Sequence, residues 1–98
     1  MKINKTKQDA QLIVALEGRL DTTTSPELEA DLKASLDGVS ELIMDFEKLE
    51  YISSAGLRVL LAAHKTMSSR GGMKVIHVSE EVMEIFEVTG FSDILNIG

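Results

Sequence analysis

Three compact apolar runs, each followed at once by a stretch of helical periodicity, constrain this chain more than any other feature. Gln11–Gly18 (QLIVALEG), Glu41–Phe46 (ELIMDF) and Met73–Val78 (MKVIHV) are short and rich in Ile, Leu, Val and Met, and they read as strands. Behind the first comes SPELEADLKASLDG. Pro26 suits a first helical position, because its missing N–H has no intrahelical partner there. Ser25 precedes it, is pushed away from helical angles, and is placed to cap the helix. Leu28, Leu32 and Leu36 recur every four residues and Gly38 ends the pattern, which predicts a helix of about 11–13 residues. Behind the second run, EKLEYIS reads as a loop. A helix is then predicted from Ser54 to about Ser69, with Leu57, Leu60, Leu61, His64 and Met67 on one face, widened by Val59, Ala62 and Ala63, before SSRGG stops it. His64 on that face is expected to be packed and hydrogen-bonded. Behind the third run, Ser79 is a cap candidate, glutamates fill the first turn, and Val82, Ile85 and Phe86 form a core stripe.

KINKTK at the start reads as an edge strand, with Gln8–Ala10 as the turn into the first run, and FSDILNIG as a short closing element, extended in part. The order is β-β-α-β-α-β-α. Alternating strands and helices predict an α/β fold in one domain over residues 1–98, with a mixed sheet and helices packed on it. Parallel neighbours would be joined by right-handed crossovers.

Composition excludes several functions. Sixteen acidic against ten basic residues give a net charge of −6, and no Lys/Arg cluster offers the basic face that nucleic acid or anionic lipid requires. With no cysteine, disulfides, thiolate catalysis and thiolate-bound zinc are excluded. The polar start MKINKTKQDA carries no apolar signal-peptide core, and LRVLLAA is too short to span a bilayer, so a cytoplasmic protein is expected. No phosphate-cradling glycine loop or cofactor motif is present. His64 and His77 lie outside metal-ligand spacings, and no third ligand suggests itself.

Parallel strands bring their carboxyl ends to one edge, where sites in open α/β sheets gather. The loops there are GRLDTTTS and EKLEYISS, so Asp21, Thr22, Thr23 and Thr24 are expected beside Ser53 and Ser54. Ser53 or Ser54 opens a helix, whose unpaired amides and positive dipole end favour an anion. A phosphoserine there would add about −1.5 to −2 charges and three acceptor oxygens, with Arg58 one turn on as a cationic neighbour. The plain alternative is a helix cap. Asp21 could equally do no more than satisfy amides in its turn. A Ser–His–Asp hydrolase built from Ser54, His77 or His64, and Asp21 or Asp45 is the rival of enzyme class; it lacks the G-x-S-x-G elbow and has little room for a pocket.

Three blocks of the chain, GRLDTTTSPELEADL, LIMDFEKLEYISSAGLRVLLAAHK and GGMKVIHVSEEVMEIFEVTGF, resemble the anti-sigma factor antagonist branch of the STAS domain family, from about Lys2 to Leu95. The resemblance implies a non-enzymatic, cofactor-free regulator of a bacterial partner-switching system. Unphosphorylated, such a protein binds an anti-sigma factor with serine-kinase activity and frees the sigma factor. Phosphorylation weakens that complex, and a PP2C-type phosphatase reverses it. Setting Gly56 and Leu57 on the family's Gly-Leu places the phosphoacceptor on Ser54. The family aspartate before it is Ser53 here, which removes a carboxylate and makes Ser53 an alternative acceptor. The partner-binding set this implies is Asp21, Thr22, Thr23, Ser53, Ser54, Gly56, Leu57 and Arg58. Some STAS proteins act instead as scaffolds or accessory subunits without phosphorylation, and the Ser53 departure leaves that alternative open.

Overall fold

The computed structural model describes residues Met1–Gly98. Its elements run β1 (Lys2–Gln8), β2 (Gln11–Leu20), α1 (Ser25–Ser35), β3 (Glu41–Ile52), α2 (Ser54–Ser68), β4 (Met73–Ile76), α3 (Glu80–Thr89), a 3₁₀ turn (Phe91–Asp93) and β5 (Asn96–Ile97). The five strands lie side by side in chain order, β1-β2-β3-β4-β5. β1 pairs antiparallel with β2, and every later pair is parallel. The mixed α/β sheet expected from the sequence is therefore observed, with β5 as its last strand.

Chain-order parallel strands joined by crossovers of one hand must place all the connecting helices on one face. Burial agrees. Leu12, Val14 and Leu16 of β2, Leu42, Met44 and Phe46 of β3, and Met73 and Val75 of β4 are all buried, whereas Ile13, Ala15, Ile43 and Ile76 between them are only partly covered. Leu28 and Leu32 of α1, Leu57, Leu60, Ala63 and Met67 of α2, and Val82 and Phe86 of α3 complete one core of 23 residues. The Phe46 and Phe86 rings meet at 6.4 Å between centroids and tie α3 to β3. Fully burying one such side chain stabilises the fold by about 1.5–3 kcal/mol.

Five local readings change, one of them in part. EKLEYIS is not a loop: β3 continues through it to Ile52. Its buried residues after Phe46 are Leu49 and Ile52, three apart, a spacing that does not read as a strand. The partner strand explains it, because the β2–β3 register shifts between Ala15 and Glu17 and again between Gly18 and Arg19. Each irregularity re-aims the side chains, so a three-residue spacing can still point inward. Gly18, at φ +99°, adopts at the second shift a backbone that other residues resist. β2 likewise runs on to Leu20, and β4 stops at Ile76 rather than Val78, where His77 turns to φ +57°.

Ser25 is no cap. It is the first residue of α1, buried, with its Oγ donating to the Asp21 carbonyl. Thr24 holds the N-cap position without a side-chain cap bond: its hydroxyl is taken by the Arg19 carbonyl and the Asp21 amide, and the Glu27 amide goes to the Thr24 carbonyl. Ser79 does cap α3, accepting from the Val82 amide at 3.2 Å. The expectation for His64 fails in part: its Nδ1 is buried and has no hydrogen-bond partner.

Candidate functional site

The edge formed where β2 and β3 end begins with one backbone bond. The Ser53 amide donates to the Leu20 carbonyl at 2.9 Å, which joins the start of α2 to the start of the β2–α1 loop. Asp21 and Ser53, 32 positions apart in the chain, are thus held at adjacent strand ends. Beneath them, Gly56 faces the same two strands. A Cβ on Gly56 would lie 2.8 Å from Leu20 Cγ and 2.9 Å from Ile52 Cγ1, so only glycine lets the first turn of α2 approach this closely.

The β2–α1 loop is internally tied. Asp21 Oδ1 accepts from the Thr23 amide at 3.0 Å and the Thr24 amide at 3.1 Å. The Thr24 hydroxyl donates to the Arg19 carbonyl at 2.8 Å and accepts from the Asp21 amide at 2.9 Å. The Asp21 carbonyl receives the Ser25 amide at 2.8 Å. These bonds, the Thr24 amide foremost, hold the Asp21 carboxyl below the usual aspartate range, with Arg19 adding a smaller attraction. Asp21 Oδ1 is therefore occupied within the turn, while Oδ2 has only the Arg19 Nε, 4.0 Å away. Thr22 and Thr23 are exposed, without side-chain bonds of their own.

The start of α2 is built differently. Ser53, in extended conformation, is the N-cap, and its Oγ accepts from the Gly56 amide at 3.4 Å. Its carbonyl receives the Leu57 amide at 2.9 Å. Ser54 is the first helical residue and is exposed. The Ser54 and Ala55 amides have no intrahelical acceptor, since they belong to the first turn. The cap and the exposed hydroxyl are therefore separate residues: Ser53 does the capping that a family aspartate would also do, and Ser54 is free of it.

The expected partner-binding set divides accordingly. Asp21, Thr22, Thr23, Ser53, Ser54 and Arg58 are exposed or half-exposed around this edge. Gly56 and Leu57 are buried and offer no side-chain surface, since they fix α2 to the sheet. Sequence reading missed Arg19 and Tyr51. They are cross-strand partners in the shifted register, and the Arg19 guanidinium lies 4.4 Å from the Tyr51 ring centroid. Without that register, nothing along the chain connects them.

No hydrolase triad forms. His64 lies ten residues along α2 from Ser54, roughly 15 Å at the helical rise, and His77 is engaged with Asp45 at 2.9 Å. Asp45 precedes Ile52 by seven positions of β3, on the order of 20 Å along a strand. A concavity of about 390 Å³ lies between α1 and α2 against Leu32, Leu36, Val59 and Ala63, and contains none of the candidate residues. Ser54 is exposed and lines none of the four main concavities, so nothing around it encloses a substrate. No helix is long and apolar enough to cross a membrane.

Comparison with known proteins matches this arrangement. The STAS domain family profile covers residues 2–98. A Bordetella bronchiseptica protein named as a candidate anti-sigma factor antagonist, BtrV, is 37% identical over 99% of this chain and 85% of its own length. The anti-sigma-B factor antagonist of Staphylococcus aureus is 29% identical over 99% of this chain and 92% of its own. The crystal structure of an anti-sigma factor antagonist from Mycobacterium paratuberculosis superposes with a TM-score of 0.88 at 23% identity, covering 98% and 83% of the two chains, a likeness of fold. The chain belongs to the STAS domain family, within its branch of anti-sigma factor antagonists, which are regulators rather than enzymes.

Proposed function

We propose that this protein is the antagonist in a cytoplasmic partner-switching system. Unphosphorylated, it docks the edge around Asp21, Thr22, Thr23, Ser53, Ser54 and Arg58 on an anti-sigma factor that is also a serine kinase, and so releases the sigma factor. The kinase phosphorylates Ser54, the complex weakens, and a PP2C-type phosphatase resets it. The observation that carries this reading is the division of labour at the start of α2: Ser53 caps the helix, which leaves the Ser54 hydroxyl exposed at a helix N-terminus. A phosphate there would be tolerated by the open first-turn amides and need no refolding. It would add its charge to a docking surface, and each 1.4 kcal/mol of penalty lowers affinity about tenfold.

The test is incubation with the kinase partner and ATP, with the phosphate located by mass spectrometry. Wild type should be labelled on Ser54 and Ser54→Ala should not. Undiminished labelling of Ser54→Ala with loss in Ser53→Ala moves the acceptor to Ser53. The scaffold reading rests on Ser53 itself, since no carboxylate stands beside the acceptor; it is favoured if no kinase labels either serine while a protein partner is still bound.

A further inference from the structure

On the far side of the sheet, the fold assembles a cluster that no spacing in the chain announces. Asp45, Glu47 and His77 each place a ligand-type atom within 4.8 Å of the others. This corrects the expectation that His77 has no further ligands near it. Asp45 and Ile76 are register partners on β3 and β4, and both point to the face without helices. In a continuing strand His77 would turn to the opposite, helix-covered face. Its left-handed backbone, φ +57°, breaks that alternation and leaves Nδ1 2.9 Å from Asp45 Oδ1. The Glu47 amide donates to the same Asp45 oxygen at 3.1 Å, so the irregular stretch of β3 that carries Glu47 is held against Asp45 as well.

We propose that Asp45, Glu47 and His77 bind a divalent transition-metal ion such as Zn²⁺. One imidazole and two carboxylates, brought together from adjacent strands, are a ligand set suited to first-row divalent ions, and the nitrogen selects against Mg²⁺ and Ca²⁺. Zinc bonds to nitrogen and carboxylate oxygen of about 2.0–2.2 Å put tetrahedral ligand atoms roughly 3.3 Å apart. The ligand atoms now lie within 4.8 Å of one another, and Glu47 and His77 are exposed, so the proposed site requires their side chains to draw in on the ion. A concavity of about 200 Å³, lined by Asn4, Ala15, Glu17 and Lys48 together with Asp45 and Glu47, leaves room for water to complete the coordination. Binding replaces the Asp45–His77 hydrogen bond with two metal bonds, and any Nδ1 proton passes to buffer.

The experiment is calorimetric titration of ZnCl₂ into the full chain in a non-chelating buffer, with amide NMR spectra recorded alongside. Saturable binding of one ion per chain is expected, with shifts confined to the neighbourhood of residues 45–48 and 76–78. His77→Ala and Asp45→Asn should each weaken it by about tenfold or more, with unchanged circular dichroism showing that both still fold. MgCl₂ should neither bind nor compete. His64→Ala should bind Zn²⁺ as wild type does. Absence of saturable binding, binding indifferent to His77→Ala and Asp45→Asn, or shifts centred on His64 or the N-terminus would each overturn the site and leave a hydrogen-bonded aspartate–histidine pair.

Discussion

The N-termini of α1 and α2 stand side by side at one edge of the sheet, yet they are opposite constructions. Before α1, Asp21, Thr24 and Ser25 spend their polar groups on one another and on the loop backbone. Before α2, the one side-chain bond is the long one that the Ser53 hydroxyl accepts from the Gly56 amide, and the next side chain, Ser54, is bound to nothing. The first is a locked turn and the second an open one. The proposed switch would use both, an open turn to leave the acceptor reachable and a locked one to keep its surroundings in shape.

Substitutions at four positions break or sharpen that contrast. The largest effect is expected at the shared foundation. Gly56→Val would drive side-chain atoms into Leu20 and Ile52, already under 3 Å from a bare Cβ, and should destabilise by about 1–3 kcal/mol in urea unfolding. It should disturb both turns together, and an unchanged midpoint would show that the first turn of α2 can shift without cost. Next, Ser54→Asp should leave folding intact and weaken binding to the anti-sigma partner about tenfold or more in a calorimetric titration. Equal affinity would remove charge as the switch. Third, Ser53→Ala should cost about 0.5–1 kcal/mol, the low end for a lost cap because the bond is long, whereas Ser53→Asp should keep the cap and raise the rate of Ser54 labelling. The smallest effect is a pH slope. Asp21 has its pKa lowered on folding, so its contribution is present above the unfolded value of 3.8 and is lost as pH falls through the lower folded value. Asp21→Asn should flatten the stability profile in that acid window, because it removes a contribution that the wild type carries at neutral pH and loses in acid.

Much of this architecture could be read from periodicity, because strands and helices here obey the hydrophobic patterns that burial on one face demands. The chain-order sheet follows from the alternation of elements and the hand of the crossovers. What escaped was set by partners rather than by local pattern. The far half of β3 reads as a loop because its buried residues are three apart, and only the register shifts against β2 make that spacing a strand. Ser25 reads as a cap because it precedes Pro26, but the helix begins at Ser25 itself, whose hydroxyl turns back to the Asp21 carbonyl, four residues earlier. Ser53 and Ser54 could be singled out along the chain, and their division into cap and exposed hydroxyl could not, since one residue's shift at a helix start exchanges the two. The burial of Gly56 and Leu57 and the meeting of Asp45, Glu47 and His77 depend on contacts between strands.

The two outer strands carry a further consequence. β1 is paired on one side only and bears Lys2, Lys5 and Lys7, with Lys5 drawn to Asp31 on α1. β5, at the other rim, is two residues long. Charge along one rim and brevity at the other leave no flat template for strand-by-strand growth. The sheet is thereby fenced at both rims against pairing with a second copy of itself.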